Sequence, residues 1–326
     1  MESFKLFRLP WLAQREVVLH LIPRSRYNLY KCSAKTKSRI LMLEPNSRTF
    51  KLHIDFYGKF VELEGIGKFY VKQVDSNNVV DRNKKFQNQD IPIRDIGESE
   101  FHTFWNVGAI RDGMHTIAMH YINLLNLKCF ERILFGHDED GIPNIEWFKN
   151  SGVKVENCVV MPLRGTSDAI GELIFSDDLL DKVELNFYCY SLFSTQFQPT
   201  RFSGDKIVTL NNFLCSDAPW FKREHLMAMN CKWFCILDCK LTSEDVNAFL
   251  KSWRPRTEND ERKYTIVLSE ECEAFSLSTI LEGISDPQDI DRTGAPEKLL
   301  VTYYRGGAHI SIELTRNNRH LDVSFQ

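Results

Sequence analysis

"HLMAMNCKWFCILDCKLTSEDVNAFLKSW", residues 225–253, carries a helix, a strand and a second helix in a single pass. The stretch "PWFKREHLMAMN" has helical spacing and runs into "KWFCIL", a short aromatic and aliphatic run of the kind that forms a buried strand. Thr242 then stands three residues before Asp245, the spacing of a capping box with Asp in place of the usual Glu. Val246, Phe249, Leu250 and Trp253 make an apolar stripe behind the cap, and Pro255 ends the helix. That stripe is expected to pack on the sheet to which the strand belongs.

The same order recurs outward from this segment. Residues 113–127 have helical spacing (Met114, Ile117, Ala118, Tyr121, Ile122, Leu125) and precede the strand-like "FERILF". "IPNIEWFKNSG" precedes "VKVENCVVM", "TSDAIGELIFS" precedes "KVELNFYCY", and "TSEDVNAFLKSW" precedes "KYTIVLS". Units returning every 23 to 31 residues predict an α/β (α+β) domain of mostly parallel strands covered by helices, in the irregular style of a leucine-rich repeat. At its end "KLLVTYYRGGAHISIEL" reads as a hairpin turning at Gly306-Gly307. Towards the N-terminus, Thr49 to Val74 alternates apolar and polar residues between Gly58, Gly65 and Gly67, the pattern of a meander of short strands. Residues 75–99, rich in Asn, Asp and Lys, read as a loop or linker.

Composition places the chain among globular proteins: 43% hydrophobic, 12% aromatic and 26% charged. The 326 residues fit about two domains at ~150 residues each. A net charge of −3 gives no global attraction to nucleic acid. Nine cysteines at irregular positions point to reduced thiols, and no stretch reaches the apolar length of a membrane span. We expect a cytoplasmic or nuclear protein with no membrane partner.

The apolar opening "FRLPWLAQREVVLHLIP", residues 7–23, is interrupted by Arg15 and Glu16, so it does not read as a signal peptide. Pro10 suits the first turn of a helix that Pro23 stops, and residues 24–32 and 34–42 read as two more short helices. Three short helices in about 40 residues cannot bury their apolar surface against one another alone. Either the spare face docks on the rest of the chain, or it meets another protein.

Leu9-Pro10, Val17, Leu21, Pro23, Leu29, Ser33 and Ile40 resemble the F-box, over residues 1–45. The chain departs from that family's pattern at Arg26 and Tyr27, where apolar and aliphatic residues are usual. Residues 46–326 resemble the type 2 F-box-associated domain of nematode F-box families, through "HLMAMNCKWFCILDCKLTSEDVNAFLKSW". The resemblances imply a substrate-recruiting adaptor of an SCF-type (Skp, cullin, F-box) ubiquitin ligase. The first segment would bind a Skp-type linker protein, and through it a cullin, by Leu9, Pro10, Leu12, Val17, Val18, Leu21, Leu29 and Ile40. The second domain would hold a protein substrate. The competing expectation is a ubiquitin-independent scaffold whose N-terminal helices pack internally.

Catalytic and metal motifs are incomplete, so we expect no enzyme, no cofactor and no metal. Cys231, Cys235 and Cys239 recur every four residues, but "WFCIL" reads as a strand and the three as buried small side chains. "GHDEDGIPNIEW" lacks both end ligands of a calcium loop, since Gly136 and Trp147 occupy them. "EGIGK" has Glu62 and Phe69 where a phosphate loop needs Gly and Ser or Thr. His115 and His120 are five apart rather than four. The basic stretch from Arg24 to Arg39, with Tyr27 and Tyr30 between its charges, offers phosphate contacts but no recognised nucleic-acid motif, and no nucleic-acid partner is expected.

Overall fold

The computed structural model describes residues 6–43, 50–75, 78–106, 108–136, 141–161, 168–190, 197–200, 206–253, 261–284, 298–305, 308–315 and 319–325. The chain divides into two compact units, residues 1–135 with 150–156 and residues 136–149 with 157–326. The fold is mixed α/β with N-terminal helices, as the sequence predicts.

The first unit opens with α1 (Trp11–His20), α2 (Pro23–Cys32) and α3 (Ala34–Leu43). Pro23 sits at the first turn of α2, where its missing N–H costs nothing. Val18, Tyr30, Ile40 and Leu43 are buried. Strands β1 (Leu52–Asp55), β2 (Phe60–Leu63) and β3 (Gly67–Gln73) then form the expected antiparallel meander. Its turn from β2 to β3 uses Gly65 at φ 72°, a left-handed conformation that favours glycine. A side chain there would also press on Pro23, the first residue of α2.

Residues 75–99 depart from the loop expectation. β4 (Arg82–Phe86) and β5 (Gln89–Asp95) form an antiparallel hairpin, which β6 (Glu100–Trp105) joins to β3. The polar composition is real, but alternate residues Phe86, Ile91 and Ile93 are buried on one face, enough to hold an otherwise solvated hairpin. α4 (Ile110–Leu125) buries Met114, Ile117, Ala118, Tyr121, Ile122 and Leu125, the residues that its spacing picks out, and packs on β2 and β3. β7 (Cys129–Phe135) pairs parallel to β1.

The second unit alternates helix and strand. Its elements are α5 (Gly141–Asn150), β8 (Lys154–Val160), α6 (Asp168–Ile174), α7 (Asp177–Leu180), β9 (Val183–Cys189), β10 (Asn212–Cys215), α8 (Arg223–Ala228), β11 (Trp233–Cys239), α9 (Ser243–Ser252), β12 (Arg262–Leu268) and α10 (Leu277–Ile280). β9 to β12 pair in parallel and in chain order. β13 (Lys298–Arg305), β14 (Ala308–Thr315) and β15 (His320–Phe325) close the chain. β13 and β14 form the expected hairpin, Arg305 opposite Ala308, while Gly306 and Gly307 lie outside the described residues. β15 inserts between β14 and β12, antiparallel to both.

One face of this sheet is an aromatic row. Phe187, Phe213, Phe234, Tyr264 and Phe325 come from five neighbouring strands, with successive ring centroids 5.4, 5.7, 5.3 and 5.7 Å apart. α9 packs on it, Phe249 against Tyr264 at 5.0 Å and Trp253 against Phe325 at 4.0 Å. Its cap is the reciprocal pair read from the sequence: Thr242 Oγ1 accepts from the Asp245 N–H, and Asp245 accepts from the Thr242 N–H.

Candidate protein-interaction surfaces

In the first unit the three N-terminal helices divide their apolar residues. Val18 and Ile40 are fully buried and belong to the core of the helices. Leu9, Val17, Leu21 and Leu29 are half-buried and Pro10 is exposed. Leu12 is 70% exposed, Ile22 65%, Met42 61% and Trp11 44%, with Phe7 and Leu19 also exposed. Of the residues that the F-box resemblance implicates, therefore, Val18 and Ile40 cannot touch a partner without unfolding. Trp11, Leu19, Ile22 and Met42, which the F-box resemblance does not implicate, are exposed instead. Their concentration in one short segment makes it the candidate interaction surface of this unit.

The helices are held from below by aromatic contacts within the same unit. The Tyr27 ring lies 6.1 Å from that of Tyr121 on α4, and Tyr30 meets Phe50 edge-on at 5.7 Å. Lys37 Nζ donates to the Asn123 carbonyl of α4 at 2.8 Å. Both departures from the F-box pattern have structural roles. Tyr27 supplies the contact with α4, and Arg26 is buried, its guanidinium donating to the Leu21 carbonyl at 2.8 Å and the Leu19 carbonyl at 2.5 Å. Those carbonyls end α1 and have no partner inside the helix, so a cation is well placed there.

Several charges of the Arg24 to Arg39 stretch are thereby committed within the protein. Arg39 Nε donates to Gln14 Oε1 at 3.1 Å and its guanidinium lies 5.7 Å from the Trp11 ring centre, while the Lys31 ammonium lies over Tyr27. Gln14 is buried and its Nε2 donates to the Leu9 carbonyl, tying the start of α1 to α3. Basic residues that brace helices are poorly arranged to track a phosphate backbone.

In the second unit the face opposite the aromatic row is polar and half-exposed. Asn212 Nδ2 donates to Asn186 Oδ1 at 2.6 Å and to the Tyr188 hydroxyl at 3.2 Å, and Asn186 Nδ2 donates to Asn157 Oδ1 at 2.5 Å. The carboxamides thus point the same way across β10, β9 and β8. The row continues in register through Trp233 and Lys263 to Ser324. Beside it lie Tyr188, Leu214, Cys235, Thr265 and Asp322. Thr265 Oγ1 donates to Asp322 Oδ1 at 2.6 Å, and Lys263 Nζ lies 3.6 Å from the same carboxylate. Alternation in a strand forces this division, since neighbours of buried rings face the other way.

The residues weighed for chemistry are engaged in packing. Cys231, Cys235 and Cys239 are buried, as expected, and burial pushes their thiols up to about 12, 11 and 12. A thiol so held is a poor nucleophile. His120 Nδ1 accepts from the Gln87 N–H at 3.0 Å, whereas the His115 ring packs on Phe56. Glu64, Gly65 and Ile66 are the turn between β2 and β3. Of the acidic stretch at 136–147, residues 137–140 lie outside the described residues and Gly141 starts α5. One group missed in the sequence, His53, Glu64 and Glu131, has ligand-type atoms within 4.8 Å of one another. Lys51 Nζ lies 3.2 Å from Glu131 and 3.7 Å from Glu64, offsetting part of the cluster's negative charge. No helix of the described residues is long and apolar enough to cross a membrane.

Comparison with known proteins bears on the second unit. A family model described as F-box associated matches residues 201–265, the segment of β10, α8, β11, α9 and the start of β12. This segment is similar to F-box-associated domains. It contains Asn212, Trp233 and Lys263 of the polar row and Phe213, Phe234 and Tyr264 of the aromatic one. Skn-1 dependent zygotic transcript 15 protein of Caenorhabditis elegans is 20% identical over 298 residues, covering 86% of this chain and 83% of its own length. No solved structure matches.

Proposed function

We propose that this chain is a substrate-recruiting adaptor subunit of an SCF-type ubiquitin ligase, with residues 1–45 as its F-box and residues 46–326 as its recognition part. The observation that carries the proposal is the exposed apolar group on α1 to α3, Trp11, Leu12, Leu19, Ile22 and Met42, above a helical core that is already filled. The helices do not need those side chains to fold, and a soluble surface gains nothing from them. The F-box-associated match at residues 201–265 supports the reading, because that domain type accompanies F-boxes.

In this reading the apolar face takes a Skp-type linker and, through it, a cullin. A target held on the second unit is brought to the conjugating machinery by proximity, which raises its effective concentration without a catalytic group on this chain. The half-exposed row Asn157, Asn186, Asn212 and Trp233 gives the target side hydrogen-bonding specificity and aromatic area together. The protein would work in the cytoplasm or nucleus.

The contacts of Tyr27 and Tyr30 within the first unit favour a second reading, a ubiquitin-independent scaffold whose N-terminal helices pack internally. Calorimetric titration of the full chain with a purified Skp-type linker separates the two. The adaptor reading expects binding that Leu12→Asp weakens by about tenfold or more while the fold is kept, because the charge falls on a central apolar contact. Absence of binding by the unaltered chain would leave the scaffold reading in its place.

A further inference from the structure

Lys84 of β4 is a lysine whose ammonium lies inside the first unit. Its Nζ lies 4.0 Å from the ring centre of Phe69, 5.3 Å from Phe86 and 5.5 Å from Phe101. Its one hydrogen bond among the described residues is donated to the Tyr121 hydroxyl at 3.4 Å. Tyr121 is fully buried and touches Tyr27, the residue by which α2 rests on α4. The amine therefore lies at the junction of the hairpin, α4 and the N-terminal helices, boxed by rings and, among the described residues, without a carboxylate in ion-pair range.

We propose that Lys84 is a proton-operated latch that sets how firmly the N-terminal helices are held on the rest of their unit. Three ring faces favour the charged amine, and burial opposes it. The charged and titratable groups around it are Lys31 and Tyr27 from α2, Arg82 from its own strand, Asp95 from β5, and His120 and Tyr121 from α4. Burial, then Lys31 and Arg82, bring the Lys84 amine down to about 7, with Asp95 alone acting the other way. His120 is held down to about 4, by burial first and then by Lys84, Lys31 and Lys37, so it stays neutral through this range. Lys84 is then the member of the cluster that changes charge near neutrality.

The sign follows from linkage. With α2 docked the amine binds its proton with an affinity near 7; release of α2 takes away Lys31 and the Tyr27 contact with Tyr121 while Phe69, Phe86 and Phe101 stay, so the affinity rises part of the way towards the ordinary 10.5. The released state binds protons more tightly, so docking strengthens as pH rises above about 7 and is level below it. The device is independent of whether the exposed apolar face takes a linker protein.

Hydrogen exchange of the full chain, read on peptides from residues 23–32 at pH 6.5 to 8.5 and corrected for intrinsic chemistry, tests it. Protection of α2 should rise about threefold or more across that range, and Lys84→Met should abolish the rise. Flat protection in the unaltered chain, or an undiminished rise in Lys84→Met, would overturn the proposal. Should Lys84→Met fail to fold, NMR titration of the Lys84 side chain in the unaltered protein decides: a midpoint near 7 supports the latch and one near the ordinary 10.5 refutes it.

Discussion

Helices α1 and α9 are each ten residues long and rich in large apolar side chains, yet they spend them in opposite ways. α9 buries Val246, Phe249 and Leu250, and Trp253 just beyond its end stacks on Phe325. α1 buries Gln14 and Val18 and leaves Trp11, Leu12 and Leu19 in the open. In α9 the apolar stripe is consumed by the fold. In α1 an internal hydrogen-bond frame of Gln14, Arg39 and Arg26 holds the helix, and its larger apolar residues stay uncovered. Position in the fold, rather than hydrophobicity, separates a helix whose apolar side is covered from one whose apolar side is open.

Substitutions can break or sharpen that contrast. The largest effect is expected at Phe249→Ala, which removes a buried α9 ring packed against the sheet and should destabilise the protein by about 3 to 5 kcal/mol in denaturant unfolding. Ile40→Ala should follow at about 2 to 5 kcal/mol, because this site is core despite lying in the contact segment. Arg26→Met leaves the Leu19 and Leu21 carbonyls short of a donor and should cost about 1 to 3 kcal/mol, seen as a lower midpoint at unchanged slope. Thr242→Ala, which removes the cap of α9, should cost about 1 kcal/mol. Leu12→Ala should change stability by no more than about 0.5 kcal/mol, and an effect as large as that of Ile40→Ala would place α1 with α9 after all.

Local signals in the sequence carried far. The capping box at Thr242 and Asp245, the helical spacing of α4, the Pro-bounded α1 and α2 and the β1 to β3 meander all depend on residues a few positions apart, and each is present where expected. Features set by distant residues were not legible. The β4–β5 hairpin has polar strands and turns through Gln87 at φ 52° rather than through a glycine, so its composition reads as loop. The four residues of β10 gain their place from parallel neighbours on both sides. β15 is fixed by β12 and β14, whose partners lie elsewhere in the chain.

The candidate surfaces were legible to a similar depth. Resemblance indicated the segment, but Val18 and Leu12 are both aliphatic and differ only in what the other helices leave uncovered. Arg26 looked like a defect in an apolar pattern because the carbonyls that it satisfies come from a neighbouring helix end. The carboxamide row needed the strand register to bring together Asn157, Asn186 and Asn212, which are 29 and 26 residues apart in sequence.

The central claim is that the apolar residues left open on α1, at Ile22 and on α3 are a partner's surface and those of α9 are not. Hydrogen exchange of the full chain with and without a purified Skp-type linker tests it most directly. The account predicts new protection confined to peptides spanning residues 11–22 and around Met42, with residues 243–252 unchanged. Protection absent throughout, or gained at 243–252 while 11–22 stays as it was, would contradict it.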